Sequence, residues 1–291
     1  MRIADNTSYL TFMRDLQRTQ QQYLEAQMQV SSGMKVQKPS DDPAAASDII
    51  RLSGEQAEDD QFGRNLSTTK SRLSAADVVL DGVETMVERA RELGLTSLGN
   101  LTNTSATRAE IEGLREQLVT AANATHQGRY IFGGSVTTSK PFVKESDGSV
   151  TYEGNSNAVS LQVGRDITLQ AQLPGEEVFG AAGDLFKTMS DLLSALSAGN
   201  HDDTAAQVKK LEQFSATVST ARSRIGGYIN VADSLSSQIS AAGLSRTKEL
   251  NDVQAADMAQ AITQLTLSQT NLQATLAVGA KIAQMSLLDY L

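Results

Sequence analysis

At 291 residues the chain is long enough for one large domain or about two to three small ones. Its formal net charge of -9 repels a phosphate backbone, so nucleic acid is not an expected partner, and the lack of any cysteine excludes disulfides, thiol catalysis and cysteine-held metals. Aromatics are only 4% and Trp is absent, which suits thin, long helical packing with small residues at the seams better than a thick globular core.

The opening MRIADNTSYL has no apolar run of the kind a cleavable Sec signal needs, so any export is expected to use another route. No stretch approaches the roughly 18 consecutive apolar residues that predict a membrane span. Prolines stand at 39, 43, 141 and 174 and nowhere else, leaving Pro-free tracts 1–38, 44–140 and 175–291 that are free to be long helices.

Residues 3–31 predict a first helix with a sparse apolar face of Leu10, Met13, Leu16 and Leu24 among glutamines. Gly33 supplies a C-terminal stop, and Asp42 before Pro43 supplies an N-cap and a proline at the first helical position of the next helix. That second helix has the clearest pattern in the chain. Phe62, Leu66, Thr69, Leu73, Ala76, Leu80, Val83, Val87 and Ala90 recur at alternating steps of three and four, the a/d spacing of coiled-coil or bundle packing. Gly94 and Gly99-Asn100 are expected to end it. Thr104 or Ser105 can cap a third helix that buries Ile111, Leu114, Leu118 and Ala121.

The period changes at Gly128-Arg129-Tyr130-Ile131-Phe132-Gly133-Gly134. From there to about residue 180 apolar and polar residues alternate, as in Val159, Leu161, Val163 and then Ile167, Leu169, Ala171, between clusters of Gly, Asn and Asp. This predicts short antiparallel strands. Helical period returns at Gly183, with Leu185, Met189, Leu192 and Leu196 on one face up to Gly199-Asn200. From Asp203 a Pro-free tract runs to the end. Val208, Leu211, Val218, Ile225, Ile229, Ala232 and Ile239 mark its first half, and Met258, Ile262, Leu265, Gln269, Leu272, Leu276, Gly279 and Ala283 its second. Glycines 226, 227 and 243 are expected to mark bends or close approaches.

The expected fold is therefore mainly α with a small β-rich insertion, a long antiparallel helical bundle or coiled coil formed by both termini and the central helices. Three parts are expected: residues 1–38 with 252–291 as a terminal helical assembly domain, 39–134 with 181–251 as a helical bundle, and 135–180 as a small β-rich outer domain. Two terminal helices alone make a thin rod whose apolar seams stay partly uncovered. Leu10, Met13, Leu16, Leu24, Ile262, Leu265, Leu272 and Leu276 are the candidate interface residues.

No chemistry-bearing constellation emerges. His126 has no acid neighbour in sequence, and His201-Asp202-Asp203 matches no defined ligand spacing. Asp147-Gly148-Ser149-Val150-Thr151 starts like a calcium loop but has Tyr152 at the sixth position and Ala158 at the twelfth. Phosphate-binding and nucleophile-elbow glycine motifs are absent. Asp41-Asp42 reads as capping and Glu58-Asp59-Asp60 as a solvated face. No enzyme activity, catalytic residue, cofactor or metal is expected.

Met1-Arg2-Ile3, Ser31-Ser32-Gly33 and Pro39-Ser40-Asp41-Asp42-Pro43 resemble the N-terminal region of the flagellin superfamily. Ala261-Ile262-Thr263-Gln264-Leu265 through Leu287-Leu288-Asp289-Tyr290-Leu291 resembles its C-terminal region. The short insertion, with Gly128–Gly134, Pro141-Phe142 and Gly148–Gly154, resembles the hook–filament junction branch of that superfamily, with a short flagellin as the alternative. Gly133-Gly134 departs from the branch, which often has another small residue before the second glycine. The resemblance implies a secreted structural protein of the bacterial flagellum, exported without a Sec signal through the flagellar type III channel. It implies terminal helices forming the inner coiled coil of a tube, central helices forming the next shell, and the insertion facing outward. The implied partners are other copies of the chain, the first hook-associated protein, flagellin, and a cytoplasmic export chaperone on the C-terminal helix.

Overall fold

The computed structural model describes residues 2–99, 104–180 and 183–288, with side chains from 10–99, 105–180 and 183–281. Met1, Asn100 and the ending Asp289-Tyr290-Leu291 lie outside the described residues. In chain order the elements are α1 (Arg2–Ser32), α2 (Pro43–Gly99), α3 (Thr104–Ala122), β1 (Thr125–His126), β2 (Arg129–Tyr130), β3 (Phe142–Lys144), β4 (Val150–Tyr152), β5 (Ser160–Gly164), β6 (Ile167–Gln170), α4 (Glu176–Phe179), α5 (Asp184–Ala198), α6 (His201–Gln254) and α7 (Met258–Leu288). The fold is mainly helical with a small antiparallel β content, as the periodicity predicts.

Two compact units divide the chain, residues 1–58 with 242–291 and residues 59–241, so the boundary falls inside α2 and inside α6. In the second unit the predicted seam of α2 is the centre of the core. Leu73, Ala76, Leu80, Val83, Val87 and Ala90 are buried against Ile111 and Leu118 of α3, Leu185, Met189 and Leu192 of α5, and Val208, Leu211, Val218 and Ile225 of α6. Gly94 does not end α2. It lies inside the helix and is buried, and a Cβ there would stand 2.5 Å from Val208 Cγ2, so its missing side chain lets α6 come close. Glycines 226, 227 and 243 have open space instead of a close neighbour.

The strands pair, among the described residues, as three separate two-stranded antiparallel hairpins. β1 and β2 turn through Gln127 (φ 51) and Gly128 (φ 74), the two positive φ values that fit the twist of a tight hairpin. The β3–β4 hairpin is fastened to α3. Lys144 pairs with Glu116 at 2.5 Å, Asn123 Nδ2 donates to Phe142 O at 2.9 Å, and the Arg115 guanidinium donates to Gly148 O. The β5–β6 hairpin packs Val163 and Leu169 on Leu66 of α2 and Ala232 of α6. Much of the scarce aromatic content gathers here, where Phe132, Phe142, Phe179 and Phe186 meet edge to face or stacked at 5.1–5.9 Å between centroids. The β3–β4 hairpin thus shares the main core with the helices around it, while β5–β6 packs on the smaller Leu66–Ala232 cluster. Gly133-Gly134 serves this packing, since a Cβ at Gly133 would meet Val136 O at 2.1 Å and one at Gly134 would meet Asn155 O at 2.1 Å.

The first unit is built differently. α1 stops at Gly33 (φ +70), whose N–H donates to Gln29 O at 2.9 Å. Asp42 caps α2 as expected, its Oδ1 accepting the N–H groups of Ala44 and Ala45 at 3.1 and 3.0 Å. The Pro-free tract from Asp203 is not one helix. It breaks at residues 255–257, where Met34 and Ala255 form a single antiparallel bridge, and Asp257 then caps α7 through the N–H groups of Ala259 and Gln260.

Candidate assembly interface

α1 and α7 pack against each other along their length. The residues that close this contact follow the three–four rhythm and mix small with large side chains: Ala261, Leu265, Ser268, Leu272, Thr275 and Gly279 on α7, and Phe12, Leu16, Thr19, Tyr23, Ala26 and Val30 on α1. Ala26, Ala261 and Ser268 are buried at 3–4% exposure, and the others are half-buried. At the far end Phe12 lies on Gly279, where a Cβ would stand 2.1 Å from Phe12 Cζ.

Of the eight sequence candidates, Leu16, Leu265 and Leu272 therefore belong to the seam inside the pair. The other five lie outside it: Leu10 is 62% exposed, Met13 37%, Leu24 48%, Ile262 51% and Leu276 52%. These five share a side. At about 100° per residue, Met13, Leu10 and Leu24 fall on one flank of the α1 seam, and Ile262 and Leu276 fall on the matching flank of α7. In an antiparallel pair, matching flanks lie on the same side of the ribbon. The opposite flank of α1 is polar, with Thr11, Asp15, Arg18, Gln22, Glu25 and Gln29. α7 adds exposed Leu267 and Val278 on its own opposite flank. Scattered exposed apolar residues are ordinary, but here they gather on one side of a two-helix ribbon in two groups, Leu10, Met13 and Leu276 at one end and Leu24 and Ile262 at the other, with Gln17, Gln20, Gln269 and Gln273 between them.

Apolar counting follows Met258, Ile262, Leu265, Gln269, Leu272, Leu276 and Gly279 and so misses Phe12, Tyr23, Ala26, Ala261 and Ser268. A second three–four run through Ala, Ser, Thr and Gly is present in the sequence, but small residues score weakly on hydrophobicity while allowing the closest backbone approach.

At the base of the pair the chain is tied by polar contacts. Lys35 N–H donates to Gln254 O at 2.7 Å and Ala256 N–H to Gly33 O at 2.9 Å. Asp41 accepts from the N–H groups of Gln37 and Lys38, and these two bonds hold its carboxyl below the usual carboxylate range. Glu55 accepts from Arg246 at 3.1 Å and from Arg51 at 3.3 Å, and its carboxyl is lowered first by the Arg246 bond.

The residues with latent chemistry have structural partners. His126 Nε2 meets Ser71 Oγ at 2.9 Å, and His201 is exposed at the start of α6. Asp147 Oδ1 closes its own turn by accepting Ser149 N–H and Oγ–H. Arg222 is held by Asp77, Asp81 and Glu84 of α2 at 2.7–3.1 Å, with Glu84 the largest cause of its raised pKa. A cleft of about 500 Å³ between α5 and α6 is lined by Asp184, Lys187, Asp191, Lys210, Gln213 and Phe214, and Lys187 and Asp191 pair with each other. Among the described residues no group of three or more His, Asp or Glu is placed to hold a metal, and no helix is long and apolar enough to cross a membrane.

Comparison with known proteins adds to this geometry. Residues 3–137 match the family described as the bacterial flagellin N-terminal helical region. The chain is 29% identical over 315 residues to flagellar hook-associated protein 3 of Escherichia coli (strain K12), covering 99% of this chain and 98% of that one. It is 28% identical to the protein of the same name from Salmonella typhimurium, covering 99% and 98%. In fold it resembles a putative flagellar hook-associated protein from Vibrio parahaemolyticus, with a TM-score of 0.69, 24% identity, and coverage of 74% of this chain and 100% of that one. Over residues 3–137 the chain is thus similar to the bacterial flagellin N-terminal helical region, and from end to end it is similar to flagellar hook-associated protein 3.

Proposed function

We propose that this chain is a structural adaptor of the bacterial flagellum that joins the hook side to the flagellin filament and works without a catalytic step. The observation that carries the reading is the exposed apolar surface of the α1/α7 ribbon, in a chain similar over its whole length to hook-associated protein 3. An assembly subunit needs surface that is costly to leave in water and that neighbours can cover. Leu10, Met13, Leu24, Ile262 and Leu276 supply it on one side, and Leu267 and Val278 supply a different patch on the other. Two unlike patches suit head-to-tail contact, which closes rings or runs into helices.

In this reading residues 1–38 and 252–291 form the assembly part, 39–134 and 181–251 a helical bundle, and 135–180 a small β-rich part. The partners are other copies of the chain, the first hook-associated protein and flagellin. A cytoplasmic chaperone covers α7 until the chain is exported by the flagellar type III route to the cell exterior. Full-length similarity to hook-associated protein 3 favours the junction over a filament subunit.

Leu276→Glu tests the reading. The variant should be exported and keep the thermal transition of the 59–241 unit, yet fail to join hook to filament, so that cells carry bare hooks and shed flagellin. Normal filaments on cells with this variant would refute the interface. Purified chain offered filament seeds should cap them without growing long filaments; sustained growth would instead identify a flagellin.

A further inference from the structure

We infer that Phe12 and Gly279 form a register lock which, together with the Met34–Ala255 bridge, sets how α1 lies along α7. The lock is what makes the two half-stripes of exposed apolar residues into one face. It deepens the assembly reading and rests on it only for its effect on flagella.

A seam of small residues is a poor ruler. Ala26, Thr19, Ala261, Ser268 and Thr275 differ little in size, so a shift by one heptad costs few contacts. Something unlike its neighbours must fix the register. Phe12 is one of two aromatic side chains in the described α1 seam, with Tyr23, and Gly279 is the one position on the described α7 seam with no side chain at all. They meet each other, with a notional Cβ at 279 overlapping the Phe12 ring at 2.1, 2.8 and 2.9 Å.

Other helix glycines do not behave this way. Glycines 54, 63, 82, 113, 226, 227 and 243 have nothing within 4 Å of a notional Cβ, so a side chain would fit there. Gly279 gives up helix propensity relative to Ala at a position where only Gly admits the ring. Gly94 under Val208, in the other unit, is the matching case.

The second point of the ruler is independent. The antiparallel bridge between Met34 and Ala255 ties the base of α1 to the base of α7 through the backbone. From that bridge Phe12 lies about 22 residues back along the chain and Gly279 about 24 forward, so both helices climb roughly 35 Å to the same level. Two fixed points at opposite ends define one register. In that register Thr19 faces Leu272, and Leu10, Met13 and Leu24 come to the same side as Ile262 and Leu276.

The chain has no cysteine, so introduced pairs read register directly. In the full-length purified chain, Thr19→Cys with Leu272→Cys should form a disulfide on oxidation, whereas Thr19→Cys with Leu265→Cys, one heptad away, should not. Adding Gly279→Leu should lower the yield of the first pair about tenfold, since overpacking a close seam shifts equilibria by at least that much. Adding Phe12→Ala to Gly279→Leu should restore it, because the large side chain then enters from the other helix at similar total volume. A 19–272 yield unchanged by Gly279→Leu, or a loss that Phe12→Ala does not recover, would overturn the lock. In cells the single Gly279→Leu variant, without the cysteines, should block filament attachment and the double variant recover it. Cross-linking that follows the lock while every variant still assembles normally would support the lock and count against the assembly reading instead.

Discussion

Residues 62–90 of α2 and residues 258–279 of α7 carry the same alternation of three and four, and they use it for opposite purposes. In α2 the seam is closed within the chain: from Leu73 to Ala90 each seam residue is at most 2% exposed, covered by α3, α5, α6 and the aromatic cluster of the hairpins. In α7 part of the apolar run faces α1 and part faces water, because among the described residues the two helices pack chiefly on each other. Periodicity therefore identifies a helix that will be covered, but not by what. The number of neighbouring elements decides whether the cover is intramolecular or comes from another molecule.

That contrast can be broken from the α2 side first. Leu80→Ala removes a fully buried side chain between helices and should cost about 2–5 kcal/mol, read as a lowered urea midpoint of the 59–241 unit. Ile262→Ala makes a similar truncation at 51% exposure, and should change the stability of the isolated chain by less than about 0.5 kcal/mol while weakening assembly. If the two substitutions cost the same in the monomer, the distinction between the regions fails. A smaller effect is expected at the caps. Asp42→Ala should cost about 1 kcal/mol, seen as faster amide exchange at Ala44 and Ala45.

Two further changes sharpen the comparison. Thr69 is fully buried in the α2 seam with no partner for its hydroxyl, at the place where the larger core gives way to the Leu66–Ala232 cluster. Thr69→Val keeps the shape and removes the unsatisfied group, so the central unit should gain up to about 1 kcal/mol, measured as a raised Tm. In the terminal unit the weakest lever is pH. Arg246 lowers the Glu55 pKa, so this contact contributes above the ordinary carboxylate range and is lost as pH falls through the lowered value. Acidification into and below that range should loosen exchange protection around residues 51–55, and Glu55→Gln should abolish that pH dependence.

Much of this molecule was legible in the residues. Asp42-Pro43 specifies a helix start wherever it falls, because the cap and the fixed proline φ are local. Gly33 specifies a stop for the same reason. The seam of α2 and the alternation at 159–171 depend only on side-chain period. Local chemistry likewise accounts for Asp147, which satisfies itself within its own turn.

Three things needed the tertiary structure. The break at residues 255–257 has no glycine or proline to announce it; it exists because the backbone there bridges to Met34. Gly94 reads as a helix end but is a packing notch, since only the arrival of Val208 gives the missing Cβ its meaning. The α1/α7 seam mixes Leu16, Leu265 and Leu272 with Ala, Ser, Thr and Gly, because backbones approach most closely over small side chains, so hydrophobicity marks the outer stripe and only part of the inner one. The sequence by itself determined the stop of α1, the start of α2, which long tracts are helical and where strands replace them, since those are properties of neighbouring residues. Which apolar face is already covered and which is left for a partner was decided by what distant segments bring alongside.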